Sequence, residues 1–491
     1  MKKLIALSSI AFLSTALFAN ADLEKRLETL EKKNDYLMKK VSEVNEQSAN
    51  DNIKFDVDFR TAVDHIQYEN IAGQKYGNDA LLSNRLWLNM GYAPTDTMVF
   101  KGQLAYHKAY GASFNQRGTG FGFDTFDWVS NQTLNDDKIR VREAYWLWTP
   151  KVGDVGFTVS LGRRPSTNGY LANLREDDAQ PKSPSGHVIN MEFDGASAGI
   201  KLDKVLPGML FKLCLGRGLS NASAWASNAA YYAAPSGMGG MMGASNVPGN
   251  YVDNGNLDTV DMAGFIFVPY DDGQYAVQTT YYRGFNVPGL VQNTMYNPAD
   301  PSTGGMMYMD SRGDMDGGAI SAKVTGIGDG ISDFLDETTI FASYAISKSN
   351  PENGKTMLGS IDSETGNSIW IGAVMPNLTG GKFGLEYNKG SEHWKAFTFG
   401  EDTMAASKLN TRGSAYEAYW SQPLIKNVFS MQVRYTYIDY DYTGSDGFFG
   451  DGGQAMSMDD MRMAYNMTGN AMAGSQIESA SDLRVYFRYR Y

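Results

Sequence analysis

The last nine residues of the chain, 483–491, alternate without interruption between two kinds of side chain. Leucine, valine, phenylalanine and tyrosine occupy the odd positions, and arginine or tyrosine occupies the even ones. Because successive side chains of a strand point to opposite faces, one face is apolar and the other carries guanidinium groups. Such a strand suits a transmembrane barrel, with lipid outside and water inside. An edge strand of a soluble sandwich could show the same alternation, so the rest of the chain has to decide.

The N-terminal residues predict export. Lys2 and Lys3 precede an apolar stretch at 4–18, and small residues follow at 19–21. This pattern is typical of a secretory signal peptide, 1–21, and the stretch is too short to span a membrane as a helix. Its removal changes the formal net charge from −12 to −14, because two lysines are lost. An acidic chain lacks the basic face that nucleic-acid binding requires, so no nucleic acid is expected among its partners.

Composition favours a single barrel over a series of soluble domains. Glycine accounts for 53 of 491 residues and tyrosine for 29, whereas glycine usually makes up about 7% of a protein. No segment after the signal peptide contains the run of apolar residues that a membrane-spanning helix needs. The single cysteine, Cys214, cannot form an intramolecular disulfide. No linker divides residues 51–491, which are therefore expected to form one barrel domain.

Residues 22–50 are predicted to form a short helical coiled coil in front of the barrel. Apolar side chains recur there with spacings of four and three, the heptad pattern of an oligomeric seam. The seam positions are Leu23, Leu27, Leu30, Asn34, Leu37, Val41 and Val44. The polar Asn34 lowers the stability of such a seam but sets its register. A homo-oligomer is expected, with a trimer favoured and a dimer also compatible with the heptads.

From residue 53 onward, two-faced segments alternate with short turns and long polar loops. Sixteen such segments, from 53–60 to 481–491, predict an all-β fold, namely a 16-stranded antiparallel transmembrane β-barrel. The long loops are predicted at 64–83, 109–137, 164–189, 218–257, 286–316, 349–366, 391–411 and 443–480. Outer-membrane barrels have short periplasmic turns and long outer loops. An even number of strands places both termini in the periplasm.

Two neighbouring strands resemble a known family. Segment 138–145 carries alternating arginines and an Ala-Tyr step, and after a turn segment 156–163 ends in Gly-Arg. These segments resemble the general porins of Gram-negative bacteria, and the whole chain looks most like porin-like outer-membrane proteins with an N-terminal coiled coil. The resemblance implies an outer-membrane location and a third long loop that folds into the pore. It also implies that the alternating aromatics Phe487, Tyr489 and Tyr491 act as an assembly signal, although the family more often ends in phenylalanine.

The same resemblance implies a charged constriction, in which an acidic run of the third loop faces arginines on the barrel wall. The loop residues are Arg175, Glu176, Asp177 and Asp178. The wall candidates are Arg140 and Arg142, and Arg163 and Arg164 lie at the root of the loop and complete the expected constriction. Opposed charges across a narrow aqueous gap would orient polar solutes and bias ion passage. Alternatively, these groups only solvate the loop or pair structurally.

The first and last strands supply a second set of charges. If the barrel closes, these strands are antiparallel neighbours, and Asp56 and Asp58 lie near Arg488 and Arg490. Opposite charges across neighbouring strands help to set their register. The expected role of this barrel seam is therefore structural.

No enzyme activity, cofactor or metal site is expected. The four histidines show no metal-ligand spacing, and no nucleophile motif accompanies them. The methionine-rich loops are interpreted as packing surfaces, with binding of cuprous ion as the alternative.

The expected function is passive diffusion of small hydrophilic solutes and ions through a water-filled lumen, with outer-membrane lipids around the barrel. Two alternatives stay open. One is a channel selective for an oxyanion or an oligosaccharide, and the other is a non-conducting barrel with a surface-binding or structural role.

Overall fold

The computed structural model describes residues 53–111, 134, 138–164, 166–178, 180–220, 222–223, 252–253, 258–292, 307–328, 330–398, 404–426, 428–445, 449–450 and 453–491. These residues form a closed antiparallel barrel of sixteen strands, which confirms the predicted fold class. The predicted signal peptide and the coiled-coil seam from Leu23 to Val44 lie outside the described residues.

The barrel strands are named in chain order. They are β1 Lys54–Asn70, β2 Lys75–Thr95, β3 Met98–Ala109, β4 Arg140–Trp148, β5 Val155–Arg164, β6 Phe193–Lys201, β7 Leu210–Leu219, β8 Val260–Asp271, β9 Tyr275–Gln292, β10 Met307–Thr325, β11 Thr339–Pro351, β12 Thr365–Pro376, β13 Lys382–Gly390, β14 Gly413–Ile425, β15 Phe429–Tyr440 and β16 Ile477–Arg490. The short connections, the start of β1 and the end of β16 share one end of the barrel, here called the turn end. The opposite end is called the loop end.

Each strand pairs with its sequence neighbours, and the barrel closes where β1 pairs with β16. This ladder runs from Asp58 opposite Arg490 to Asn70 opposite Ile477. Because all strands have two partners, the barrel presents no open sheet edge. The prediction that the first and last strands are antiparallel neighbours is confirmed.

The strand alternation separates an apolar outer face from a polar lumen. On β1, Phe59 and Val63 are exposed, whereas the residues that directly follow them, Arg60 and Asp64, are buried. On β16, Phe487 is exposed while the neighbouring Arg488 is buried. An apolar belt around a charged interior is the distribution that a lipid environment requires.

A bulge in β4 changes which side chains enter the lumen. Gln103 pairs with Glu143 and Leu104 with Val141, so Arg142 has no partner position in β3. An extra residue of this kind reverses the phase of a strand. As a result, the consecutive Arg142 and Glu143 are both buried.

The first loop is far shorter than predicted. Segment 64–83 is mostly strand, because β1 continues to Asn70 and β2 begins at Lys75. The side chain of Asn70 accepts a hydrogen bond from the Gln74 amide at 2.8 Å, and Gly73 adopts a left-handed conformation. This local turn chemistry closes a long hairpin, so the predicted strict alternation of short and long connections is wrong at this position.

Other predicted loops also contain regular structure. Within 286–316, strand β9 extends to Gln292 and β10 begins at Met307. Among the described residues, four short helices lie outside the strands, namely α1 Ala172–Arg175, α2 Asp333–Asp336, α3 Met458–Thr468 and α4 Ala471–Gly474. No helix in the described part of the chain is both long and apolar enough to cross a membrane.

Candidate functional site

The third loop, between β5 and β6, lies inside the barrel. It turns sharply at Leu171, which has a positive φ of 75° and a fully buried side chain. The preceding Tyr170 donates a hydrogen bond from its hydroxyl to the carbonyl of Ala276 on the wall, at 3.0 Å. Both residues pack with Phe341 and Trp370 on β11 and β12. Helix α1 follows, and the predicted acidic residues come directly after its last residue, Arg175.

Glu176 lies at the centre of an arginine cluster and is only 1% exposed. One of its carboxylate oxygens lies 3.2 Å from Arg434 Nη1, and the other lies 3.4 Å from Arg488 Nη1. Arg60 and Arg85 approach the same carboxylate at 3.9 and 4.0 Å. These four arginines come from β15, β16, β1 and β2, which are consecutive strands across the seam. A single carboxylate from the third loop therefore contacts arginines on four neighbouring strands.

A buried carboxylate on the barrel wall also pairs with the third loop. Glu417 on β14 lies 3.3 Å from Arg175 of the third loop and 2.6 Å from Lys408. Lys408 also lies 2.6 Å from Glu386. All four side chains are nearly excluded from solvent. Buried charges persist only when paired and hydrogen-bonded, so these contacts seat the third loop in one position.

The two aspartates that follow Glu176 have different surroundings. Asp177 is exposed and pairs with Lys382. Asp178 lies 3.0 Å from Arg490 and 3.7 Å from Arg488. Burial raises the pKa of Asp178 to about 6, although Arg488 acts in the opposite direction.

At the barrel seam, Asp58 binds the last strand. Its Oδ1 accepts a hydrogen bond from Arg488 Nε at 2.9 Å, and its Oδ2 contacts the same guanidinium and lies 3.9 Å from Arg490. Arg85 adds a contact at 3.5 Å. Asp56 is exposed at the start of β1 and forms no ion pair with any described residue. Of the two seam aspartates, the structure brings only Asp58 to the arginines.

Arg488 contacts both Asp58 of the seam and Glu176 of the third loop. The seam and the acidic run therefore form one set of contacts. We call it the seam cluster, and its members are Asp58, Arg60, Arg85, Glu176, Asp178, Arg434, Arg488 and Arg490.

The wall arginines implied by the family resemblance lie elsewhere. Arg142 contacts Glu192 at 2.9 Å and Gln103 at 2.7 Å. Arg164 contacts Ser183 and Ser160. Neither lies in the seam cluster, which corrects the predicted position of the basic wall.

Arg140 and Arg163 do not join the acidic run either. Arg163 pairs across the strands with the exposed Asp194, and no contact with the acidic run is seen for Arg140 within the described residues. The arginines that do face Glu176 occupy alternate, lumen-facing positions on strands near the seam. The sequence shows this alternation, but the resemblance to porins implies basic residues on β4 and β5 instead.

A second loop, between β13 and β14, also fills the lumen, and the sequence did not indicate it. Its Trp394 is fully buried and donates a hydrogen bond to the carbonyl of Leu409 at 2.8 Å. Its short strand Phe397–Thr398 pairs in parallel with Ile189–Asn190 of the third loop. We call the described parts of these two loops, 166–192 and 391–412, the plug.

His187 attaches the plug to the wall through hydroxyl groups. Its ring nitrogens lie 2.8 Å from Ser343 Oγ and 2.9 Å from Ser368 Oγ. The imidazole is fully buried, and these serines are 4% and 0% exposed. Trp370 and Trp394 flank the ring. With no solvent access, these serine–histidine contacts anchor the third loop and offer no site for a substrate.

The His187 environment predicts a pH effect on stability. Burial lowers the pKa of His187 to about 3, against about 6.5 in an unfolded chain. The folded state therefore binds fewer protons in this range, and stability falls as pH drops from about 6.5 toward 3, with a slope approaching about 1.4 kcal/mol per pH unit. The free energy of unfolding, measured against pH, should show this slope in the wild type and lose it in His187→Asn.

His65→Asn is the matched control, because His65 is exposed on β1. Asp178 acts with the opposite sign, since a raised carboxyl pKa favours the folded state at low pH. The difference between wild type and His187→Asn removes that contribution. Equal slopes in these two proteins would contradict the assignment.

Two cavities lie at the turn end, below the plug. One, of about 720 Å³, is bounded by mixed charges, among them Glu176, Asp177, Lys382, Lys426 and Arg490. The other, of about 290 Å³, lies along β3 to β7 and is bounded by Lys101, Arg164, Lys182, Lys201 and Lys212. We call the second cavity the basic chamber.

Comparison with known proteins gives a family match and several similar folds. Residues 75–491 match the model of a family described as "Protein of unknown function (DUF3373)". None of the curated proteins matches the chain.

Among solved structures, the trimer form of OmpT from Vibrio cholerae shares 11% identity at a TM-score of 0.43, covering 90% of this chain and 99% of that chain. OprB from Pseudomonas putida shares 10% identity at a TM-score of 0.45, with coverages of 91% and 96%. The anion-selective porin from Comamonas acidovorans shares 11% identity at a TM-score of 0.44, with coverages of 90% and 99%.

Proposed function

Because the chain belongs to the DUF3373 family, whose description names no activity, we propose a function from the barrel itself: an outer-membrane channel for passive diffusion of small hydrophilic solutes and ions. The polar cavities at the turn end carry the proposal. They lie within a closed barrel whose outer face is apolar, so water and lipid are separated by the wall.

The plug restricts passage in this proposal. The third loop is held by paired charges and the second plug loop by buried aromatic contacts, so the open area lies beside them. Solutes are then selected by size at the plug and by charge in the cavities.

Location and assembly are part of the same proposal. The predicted signal peptide and the apolar belt support the outer membrane of a Gram-negative bacterium, with both termini in the periplasm. The predicted heptads of residues 22–50 support a homo-oligomer, with a trimer favoured.

A non-conducting barrel is the second candidate, and the filled plug favours it. Planar-bilayer recording of the purified, folded protein separates the two. We expect discrete current steps in potassium chloride, and their size reports the width of the passage. Protein that is folded and inserted but passes no current would contradict the channel and support a surface-binding or structural role.

A further inference from the structure

We propose that the basic chamber is a binding site for small multivalent oxyanions, the class that includes inorganic phosphate, sulfate and short dicarboxylates. This inference rests on the proposed channel, for which it names a preferred class of solute.

The chamber carries five cations and only one paired carboxylate. Lys182 has a carboxylate partner, Glu143, at 3.2 Å. For Lys101, Arg164, Lys201 and Lys212, no carboxylate lies within ion-pair distance anywhere in the described parts of the chain. In the seam cluster and around Lys408, by contrast, the buried cations lie against carboxylates. Four of the five cations of the chamber therefore have no paired carboxylate, and a bound anion would supply the missing negative charge.

Hydroxyl groups complete the site. Arg164 Nη2 and Lys212 Nζ both point to the hydroxyl of Ser183, each at 3.3 Å. Thr158 also lines the chamber, and its buried hydroxyl has no hydrogen-bond partner among the described residues. Two cations that converge on one neutral oxygen, beside an unused hydroxyl, suit a ligand with several oxygen atoms.

The positions of the cations make the chamber a feature of the turn end. Lys101 lies near the start of β3, Lys201 at the end of β6 and Lys212 near the start of β7. Because a cleft lined by one sign of charge focuses its field, anions entering from this end would be concentrated there.

The size of the chamber suits a ligand of this class. Its volume of about 290 Å³ is well above what a single water molecule requires. A phosphate or a short dicarboxylate therefore fits together with several waters.

The neighbouring cavity provides an internal contrast. Two of its cations, Lys382 and Arg490, are paired with Asp177 and Asp178 of the third loop. An anion there would compete with carboxylates of the protein itself. Oxyanion binding is thus expected in the basic chamber alone among the described cavities.

The test compares two double variants that each remove two lysine charges. Lys201→Gln with Lys212→Gln changes the chamber. Lys151→Gln with Lys204→Gln changes exposed turn lysines nearby, one of which pairs with Asp154. Titration calorimetry of the folded barrels with inorganic phosphate measures binding directly, without requiring current. Bilayer recording then measures the reversal potential in a salt gradient and block of chloride current by phosphate.

We expect saturable phosphate binding in the wild type and the turn variant, weakened at least about tenfold in the chamber variant, because each charge-assisted hydrogen bond contributes that factor or more. Anion preference should fall in parallel. Lys101→Gln, a more exposed chamber position, serves as a second variant with a smaller loss if the double variant does not fold.

The outcomes separate the two proposals. Phosphate binding without current leaves the site standing and overturns the channel. Current without phosphate binding, or equal affinities in the two double variants, overturns the oxyanion site and leaves the channel.

Discussion

Replacing Glu176 with glutamine should lower the free energy of unfolding by about 3–5 kcal/mol, the usual cost of removing one partner from a buried ion pair. The substitution keeps the shape of the side chain but removes the negative charge that Arg434 and Arg488 contact at 3.2 and 3.4 Å. Arg60 and Arg85 lose the same partner. Denaturant unfolding of the detergent-solubilised barrel, followed by tryptophan fluorescence, measures the change.

Asp177→Asn is the matched control, because it removes a carboxylate from the adjacent position. Asp177 is about half exposed and pairs with the equally exposed Lys382. Exposed pairs contribute about 0–1 kcal/mol, so the control should unfold almost like the wild type. If the two variants lost equal stability, Glu176 would not hold the third loop.

We also expect Glu176→Gln to show larger and noisier current steps, since the loop is released from the wall.

Reversing the charge of Asp58 should prevent most molecules from assembling. Asp58→Lys would place an ammonium group among Arg85, Arg488 and Arg490, all of which lie within 3.9 Å of the aspartate. Like charges that face each other across neighbouring strands are destabilising, and here they lie on the ladder that closes the barrel. The folded fraction, measured by electrophoretic mobility before and after heating, and the yield of oligomer report assembly.

Two further variants make this prediction specific. Asp58→Asn removes the charge without reversing it and should fold with a stability loss of about 3 kcal/mol. Asp56→Lys makes the same charge reversal two residues earlier, at an exposed position without an ion pair to any described residue. It should assemble normally. A normal oligomer yield from Asp58→Lys would refute the structural role of the seam.

The barrel could be predicted because strand alternation is a local property. Each strand shows its two faces within a few residues, as Phe59 and Arg60 illustrate, and closure follows once all strands are counted. The sequence predicts too long a first loop, because the strands of this hairpin continue through polar residues toward Gln74, beyond the apolar belt. The phase change at Arg142 was also missed, since a bulge depends on the register with β3.

The site was harder to predict because its contacts are distant in sequence. Glu176 meets Arg434 across 258 positions and Arg488 across 312. The acidic run was found, since its charges are consecutive. Its partners could not be found, because the choice among the lumen arginines depends on where the third loop crosses the barrel. The second plug loop left no clear signal, because Trp394 and Leu409 look like ordinary loop residues until the lumen encloses them.

The bridging position of Arg488 has a consequence for assembly of the barrel. Its guanidinium pairs at the same time with Asp58 on β1 and with Glu176 of the third loop. In a barrel without the third loop, Arg434 and Arg488 would lose the carboxylate of Glu176, and Asp58 alone would remain to offset Arg488. Lodging the third loop supplies this carboxylate. Closure of the barrel and occupation of its interior are therefore energetically coupled through Arg488.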